Sequence, residues 1–194
     1  MSIRIMGTGS CLPETVVTND YLSTIMDTSD EWISSRTGIK ERRLVKEETT
    51  ATMSAEAAKR ALEDAGIQAE DIDLIIVGTL TGDYVTPSTA CEVQAAIGAV
   101  NAVAFDINAA CSGFLYGVSM AYAYMKSGIY KNAIVIGAET LSKIMDWNDR
   151  STCVLFGDGA GAAVVGVDTS ENSQSDILGM VQYSDGAKGE VLNC

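Results

Sequence analysis

Five short apolar runs constrain this chain more than any other feature: IRIMG at 3–7, LIIVGTL at 74–80, AVAFDI at 102–107, AIVIGA at 133–138 and GAAVVGV at 161–167. A strand with one wet face alternates apolar and polar residues. These runs are apolar at nearly every position, which is the pattern of a sheet covered on both faces. The covering helices are legible between them. Met53, Ala57, Ala61, Leu62 and Ala65 recur at helical spacing, Glu56 and Arg60 stand at i,i+4, and Gly66 is a natural stop. A second helix is predicted from Pro87 to Ile97 before Gly98, and a third, apolar nearly all round, from Cys111 to Lys126 before Ser127 and Gly128. The order β-α-β-α-β-α-β-β predicts an α/β architecture, a parallel or mixed sheet with helices on both faces.

Past Val167 the pattern changes. DTSENSQSD is a polar connector, ILGMVQYS reads as one more strand, and the chain then runs on without a helix to cover that strand. The sequence therefore divides into one body over 1–168 and, over 169–194, a connector with the first strand of a further half.

Composition excludes several functions. A chain of 194 residues, 47% hydrophobic and 20% charged, can bury a sizeable core. With 13 Lys+Arg against 26 Asp+Glu its net charge is −13, which repels a phosphate backbone, so no nucleic-acid partner is expected. It has no histidine, which removes every His-based general base, His-metal site and Cys-His pairing from this chain acting alone. The cysteines at 11, 91, 111, 153 and 194 form no C-x-x-C pair; they read as reduced thiols in the cytoplasm, with no metal site. The N-terminus lacks a signal-peptide core. Ile107 to Met125 is 19 residues without a charge, but Asn108, Ser112 and Ser119 and its small residues at four-residue spacing suit a helix buried in protein, so no membrane span is expected.

Cys111 is the sharpest candidate for chemistry. It stands four residues after the AVAFDI strand at the first turn of a long helix, where open α/β sheets form ligand crevices. Unpaired N–H groups and positive potential there favour a thiolate and an oxyanion, and Ala109, Ala110, Ser112 and Gly113 leave room for a substrate. An inert buried cysteine is the competing reading. Cys91, inside a helix, and Cys153, in an apolar run, read as small core residues. GTGS at 7–10 lacks the helix that a dinucleotide fingerprint needs directly after it, and FGDGAGAAV at 156–164 suits close backbone packing better than phosphate binding. Trp32 with Arg36, Lys40, Arg42 and Arg43 offers a surface that stacks a flat base and pairs phosphates, or else a solvated helix whose Trp packs inward; Arg150 carries the same ambiguity.

Three segments, DTSDEWISSRTGI at 27–39, DINAACSGF around Cys111 and WNDRSTCVLFGDGAGAAV at 147–164, together resemble β-ketoacyl-acyl carrier protein synthase III. The resemblance runs from Ile3 to about Leu192. It implies the N-terminal half of a thiolase-like fold, a mixed five-stranded sheet with helices on both faces. It also implies a condensing acyltransferase that starts fatty acid synthesis from acyl-CoA and malonyl-acyl carrier protein, with the CoA thioester as substrate and no cofactor. Cys111 matches the nucleophile that takes the acyl group, its own N–H forming half of the oxyanion hole. Trp32 and Arg150 match the pair that sandwiches the CoA adenine, and Thr28 and Arg36 match positions around the nucleotide and its phosphates. Thr86, Leu141, Phe156 and Leu192 match the acyl-pocket lining, Thr86 being contributed across a homodimer interface. Condensation in that family uses a His and an Asn from the C-terminal half, which would have to come from a second chain or a missing segment unless the chain is a truncated homologue without condensing activity. Related acyltransferases with another acceptor, such as hydroxymethylglutaryl-CoA or quinolone-forming synthases, and a non-catalytic acyl-CoA or carrier-protein binding module are the rival readings. Lys40, Arg42 and Arg43 are candidates for docking an acidic carrier protein, or are simply a solvated face.

Overall fold

A computed structural model describes residues 2–170 and 175–191. The chain runs β1 (Ser2–Cys11), β2 (Thr15–Thr18), α1 (Asn19–Ser23), α2 (Asp30–Thr37), β3 (Glu41–Leu44), α3 (Thr50–Ala65), β4 (Leu74–Gly78), α4 (Thr89–Ile97), β5 (Val103–Ile107), α5 (Gly113–Lys126), β6 (Asn132–Thr140) and β7 (Asp158–Asp168). Five strands form one mixed sheet in the order β1-β7-β6-β4-β5. In it β4 runs parallel to β5 and β6, while β7 runs antiparallel to β6 and β1. All five expected strands are present. The ends of β1, β4, β5 and β6 and the start of β7 consequently meet along one edge of the sheet.

The continuous apolar runs have the cause that their pattern implies. On β4, Ile75 and Val77 face the layer formed by α3 and α4, together with Ile134, Ile136 and Val164. Leu74 and Ile76 face α5 with Ala133, Val135 and Val165. Each such fully buried aliphatic side chain contributes about 1.5–3 kcal/mol relative to exposure.

Helix α3 begins with a capping box, in which Thr49 accepts from the Thr52 N–H and the Thr52 side chain returns the bond, and it ends at Gly66 with φ 66°. Its alanine face lies on the backbone of β1. A Cβ on Gly7 would stand 2.3 Å from Ala65 N, and one on Gly9 2.2 Å from Ala57 O. The glycines of GTGS therefore admit a helix, not a nucleotide. Gly157 and Gly159 in the second glycine-rich segment are similarly close to Arg43 and Leu12.

Several expectations are corrected. Helix α4 starts at Thr89, capped by Ser88, rather than at Pro87. Residues 110–112 form a 3-10 turn, so α5 begins at Gly113 and not at Cys111. AVAFDI is covered on both faces only in part: Ala104 packs against one core layer and Phe105 and Ile107 against the other, but β5 is an edge strand and Val103 is 49% exposed. Cys91 is exposed for the same reason. Ala90 and Val93 take the buried side of α4, whereas the Cys91 thiol points to the Ala104 carbonyl, 3.7 Å away, on the uncovered strand. ILGMVQYS forms no strand. Ile177 N–H donates to Ile3 O at 3.0 Å and Ile3 N–H to the Asp176 carboxylate at 2.9 Å, after which the chain leaves β1. It then follows α5, where Gln182 bonds Leu115 O and Ser119 Oγ, and Leu178, Val181 and Tyr183 stay exposed.

Candidate functional site along the carboxyl edge of the sheet

Cys111 stands where β5 turns into α5. Beyond Ile107 the Asn108 side chain accepts from Ala110 N–H at 3.3 Å, and Ser112 N–H donates to Ala109 O at 3.0 Å. Ala110, immediately before the cysteine, has φ +45°. A side-chain-bearing residue held there costs on the order of 1–2 kcal/mol, so its surroundings must hold it. The holding contact is glycine on glycine. A Cβ on Gly78, the last residue of β4, would lie 2.7 Å from the Gly113 carbonyl carbon, and one on Gly117 2.7 Å from Val135 Cγ1. Helix α5 is thus seated on the sheet by residues without side chains, its first turn against the end of β4. Cys111 is exposed. Burial pushes the Cys11 and Cys153 thiols up.

The loop after β4 is held by carboxylates. Glu139 on β6 accepts Leu80 N–H at 3.0 Å, Thr81 N–H at 3.1 Å, Thr79 Oγ1 at 3.4 Å and the Thr81 hydroxyl. Asp83 accepts Thr50 N–H at 3.2 Å and Ala51 N–H at 2.8 Å at the start of α3, and pairs with Lys143 at 3.4 Å. Burial pushes the Asp83 carboxyl up, but the donors at Ala51, Thr49 and Thr50 outweigh it and hold the group below its ordinary value. Asp106 accepts Thr89 and Ala90 N–H at 2.7 Å each. Asp158 accepts Val45 N–H, Ser142 N–H and Ser142 Oγ. Between this loop and the end of β5 lies an open groove of about 360 Å³, lined by Leu80, Tyr84, Val85, Asp106 and Asn108 among others. Thr86 follows directly and is exposed. Leu141, in a 3-10 turn after β6, and Phe156, just before β7, are half-buried at the same edge. Leu192 lies outside the described residues.

The second cluster sits on a small lobe made by the antiparallel β2–β3 pair and the intervening α1–α2. Val17, Leu22, Ile33, Cys153 and Val154 form its core, against which Trp32 and Trp147 pack. Ser29 caps α2 by accepting Trp32 N–H at 3.1 Å, and Gly38 ends it at φ 75°. Trp32 is therefore partly packed inward and still carries two guanidinium groups: Arg36 at 4.5 Å and Arg150 at 5.2 Å from the ring centroid. Arg150 donates to Asp27 O and reaches its carboxylate at 3.5 Å. The neighbouring Thr28 Oγ1 is buried and has no protein partner.

Arg42 is removed from the basic surface. It is 5% exposed and donates to Val17 O at 3.2 Å, Asn19 Oδ1 at 2.7 Å and Val154 O at 3.3 Å, and burial lowers its pKa. Its stem enters the lobe core because β3 points this residue inward. Lys40 and Arg43 remain at the surface beside Asp30 and Glu41, at 4.0 and 3.6 Å. Asn19 completes the lobe by donating to Asp30 at 2.8 Å and to Ile39 O at 2.7 Å. Sequence reading missed Glu139, Asp83, Asp106, Asp158 and Asn19. The signal available for the first four was an acid at a strand end or loop, and it does not say which N–H groups that acid will meet.

Among the described residues no cluster of His, Cys, Asp and Glu is arranged to hold a metal ion, and no helix is long and apolar enough to cross a membrane. Residues 105–186 match the family model described as 3-oxoacyl-[acyl-carrier-protein (ACP)] synthase III. A crystal structure of 3-oxoacyl-[acyl-carrier-protein] synthase III from Aquifex aeolicus superposes with a TM-score of 0.85 at 57% identity, covering 87% of this chain and 55% of that one. Over the matched part, this chain shares the thiolase-like fold of that synthase III. The priming β-ketosynthase of the R1128 polyketide pathway has it too, with a TM-score of 0.84 at 41% identity over 86% of this chain and 50% of that one. Among curated proteins, β-ketoacyl-[acyl-carrier-protein] synthase III of Clostridium botulinum is 56% identical over 193 residues, all of this chain and 58% of the relative. That of Caldanaerobacter subterraneus is 57% identical over 189 residues, 97% of this chain and 56% of the relative. The chain thus resembles synthase III along its whole length and spans somewhat over half the length of these relatives.

Proposed function

We propose that this chain forms the acyl-accepting part of a β-ketoacyl-acyl carrier protein synthase III of the cytoplasm. The observation that carries the reading is Cys111, exposed at the strained turn that opens α5, on the same edge as the groove of about 360 Å³. The Cys111 thiolate attacks the acyl carbonyl of acyl-CoA. A bond forms between Sγ and the carbonyl carbon, the carbon–sulfur bond to CoA breaks, and CoA leaves with a proton from solvent. Backbone N–H groups at the helix start stabilise the oxyanion between these events. Malonyl-carrier protein then loses CO₂, and its carbanion displaces the thiolate to give the ketoacyl product. The chain has no histidine, so a His directed at the malonyl carbonyl would be supplied from outside these residues.

Trp32 and Arg150 hold the CoA adenine, with Thr28 and Arg36 at the nucleotide. In the present state the clamp is shut. A base between two planar groups needs about 3.5 Å on each side, so Arg150, now 5.2 Å from the ring, withdraws by roughly 2 Å to admit it. Thr86, Leu141 and Phe156 bound the acyl chain, and the small Thr86 favours starters longer than acetyl. The uncovered edge of β5 is the face on which a second copy pairs to make a homodimer.

The test is acyl transfer from a radiolabelled acyl-CoA to the full chain, followed by peptide mapping and by a malonyl-dependent product assay. Label on Cys111 that disappears in Cys111→Ala, with product only when a histidine-bearing half is supplied, is the expected result. No covalent label at all would favour a binding module, and label without ketoacyl product in the presence of that half would favour an acyltransferase with another acceptor.

A further inference from the structure

The edge that carries Cys111 also carries a carboxylate that the proposed reaction does not use. Glu139 lies near the end of β6, and β6 pairs in parallel with β4 so that Gly137 stands opposite Gly78. Two residues further along both strands, the carboxylate meets the backbone of the departing loop. One oxygen takes Leu80 N–H at 3.0 Å, and the other takes Thr81 N–H at 3.1 Å together with the Thr79 and Thr81 hydroxyls. Where a chain leaves a sheet its N–H groups lose their ladder partners, and a carboxylate is the strongest acceptor that a neighbouring strand can offer.

The clamp is locked from behind. Thr140 N–H donates to Thr81 Oγ1 at 2.8 Å, Thr50 Oγ1 donates to Thr81 O at 2.6 Å, and the Thr50 and Thr140 hydroxyls lie 3.0 Å apart, all of them buried. In front of it, Thr79 N–H reaches Ile107 O at 3.1 Å and continues the β4–β5 pairing to the last residue before the Cys111 turn. Gly78, directly before the clamped residues, is the surface against which Gly113 rests. Glu139 therefore holds the two points from which residues 108–112 span, the end of β5 and the start of α5. Those residues include Ala110 at φ +45°. A residue in that conformation relaxes when its supports move, and the backbone that carries Cys111 moves with it.

We propose that Glu139 is a positioning residue for Cys111: by fixing residues 79–81 it keeps Gly78 under Gly113 and so preserves the turn that activates the thiol. This rests on the reading of Cys111 as the acyl acceptor. Glu139 touches neither substrate nor sulfur in this role. It acts through backbone, and its removal lowers the rate at Cys111 without altering nucleotide affinity at Trp32.

The experiment is alkylation of the full chain by iodoacetamide at neutral pH, with each cysteine quantified by peptide mapping. Exposed Cys91 and buried Cys153 serve as internal controls. In the wild type Cys111 reacts faster than Cys91. Glu139→Gln, which turns an amide group toward the loop N–H donors, slows Cys111 by about ten- to a hundredfold, the scale on which small misplacements act. Glu139→Asp keeps both acceptor oxygens and recovers part of the rate, and Thr79→Val, which removes one of the two hydroxyls, gives a smaller loss in the same direction. Cys91 keeps its rate and Cys153 stays protected throughout. Equal Cys111 rates in the wild type and Glu139→Gln overturn the proposal. So does a loss at Cys111 that appears only in variants where Cys153 becomes labelled, because that marks general loosening. A wild-type Cys111 no faster than Cys91 is a different failure, that of the acyl-acceptor reading itself.

Discussion

The sheet edge around Cys111 and the small lobe around Trp32 are built in opposite ways. At the sheet edge backbone rests on backbone: Gly78 against Gly113, Gly7 and Gly9 under α3, and strand ends tied by carboxylates to loop N–H groups. In the lobe side chains do the holding, with Arg42 spanning the core, Asn19 joining Asp30 to Ile39, and two guanidinium groups at the exposed part of Trp32. On the function proposed above, this difference would suit a fixed nucleophile beside a movable nucleotide grip.

Gly78→Ala attacks the first region where it is tightest. With backbone 2.7 Å from the new methyl, α5 has to shift, and we expect a stability loss of about 2–3 kcal/mol together with a roughly hundredfold slower Cys111. Denaturant titration and alkylation mapping read the two effects; unchanged values in both would show that the glycine contact bears no weight. Arg42→Ala attacks the lobe core. Three acceptors lose their donor, so a cost of about 2–3 kcal/mol is expected, seen as tryptophan emission changing at lower denaturant. Lys40→Ala, at an exposed pair, should change stability by less than about 0.5 kcal/mol.

Trp32→Ala removes one face of the clamp and should weaken CoA binding about five- to thirtyfold by calorimetry, the equivalent of about 1–2 kcal/mol. Full CoA affinity in this variant would remove the lobe from the substrate site. The smallest effect is on pH. Hydrogen bonds from Asn19 and Ser34 hold the Asp30 carboxyl below its ordinary value of 3.8. A depressed carboxyl contributes stability above its unfolded pKa and loses it as pH falls through the folded value. The lobe should therefore lose a little stability on acidification below about pH 4, a loss that Asp30→Asn removes.

Legibility followed the same division. Strands that bury both faces announce themselves, because hydrophobic burial acts on each residue separately. Ile75, Val77, Leu74 and Ile76 could be assigned to a doubly covered strand without knowing their neighbours. The lobe was illegible as structure, since the ERRL strand carries three charged residues among four and its stability comes from where Arg42 points. The expected strand at ILGMVQYS failed for a related reason: its apolar residues satisfied the pattern, but beside β1 the chain makes one backbone bond and leaves.

The sequence by itself determined the strands of the sheet, its covering helices, the place of Cys111 between a strand and a long helix, and the resemblance to synthase III, because these depend on residue type and spacing along the chain. Tertiary structure alone decided that Cys91 is exposed, that Arg42 is buried, that Arg150 closes on Trp32, and that Glu139 meets the loop after β4. Those facts depend on which strands become neighbours and which edge stays open. Hydrogen bonds and charge pairs act over a few ångströms between groups tens of residues apart, and only the folded backbone sets those distances.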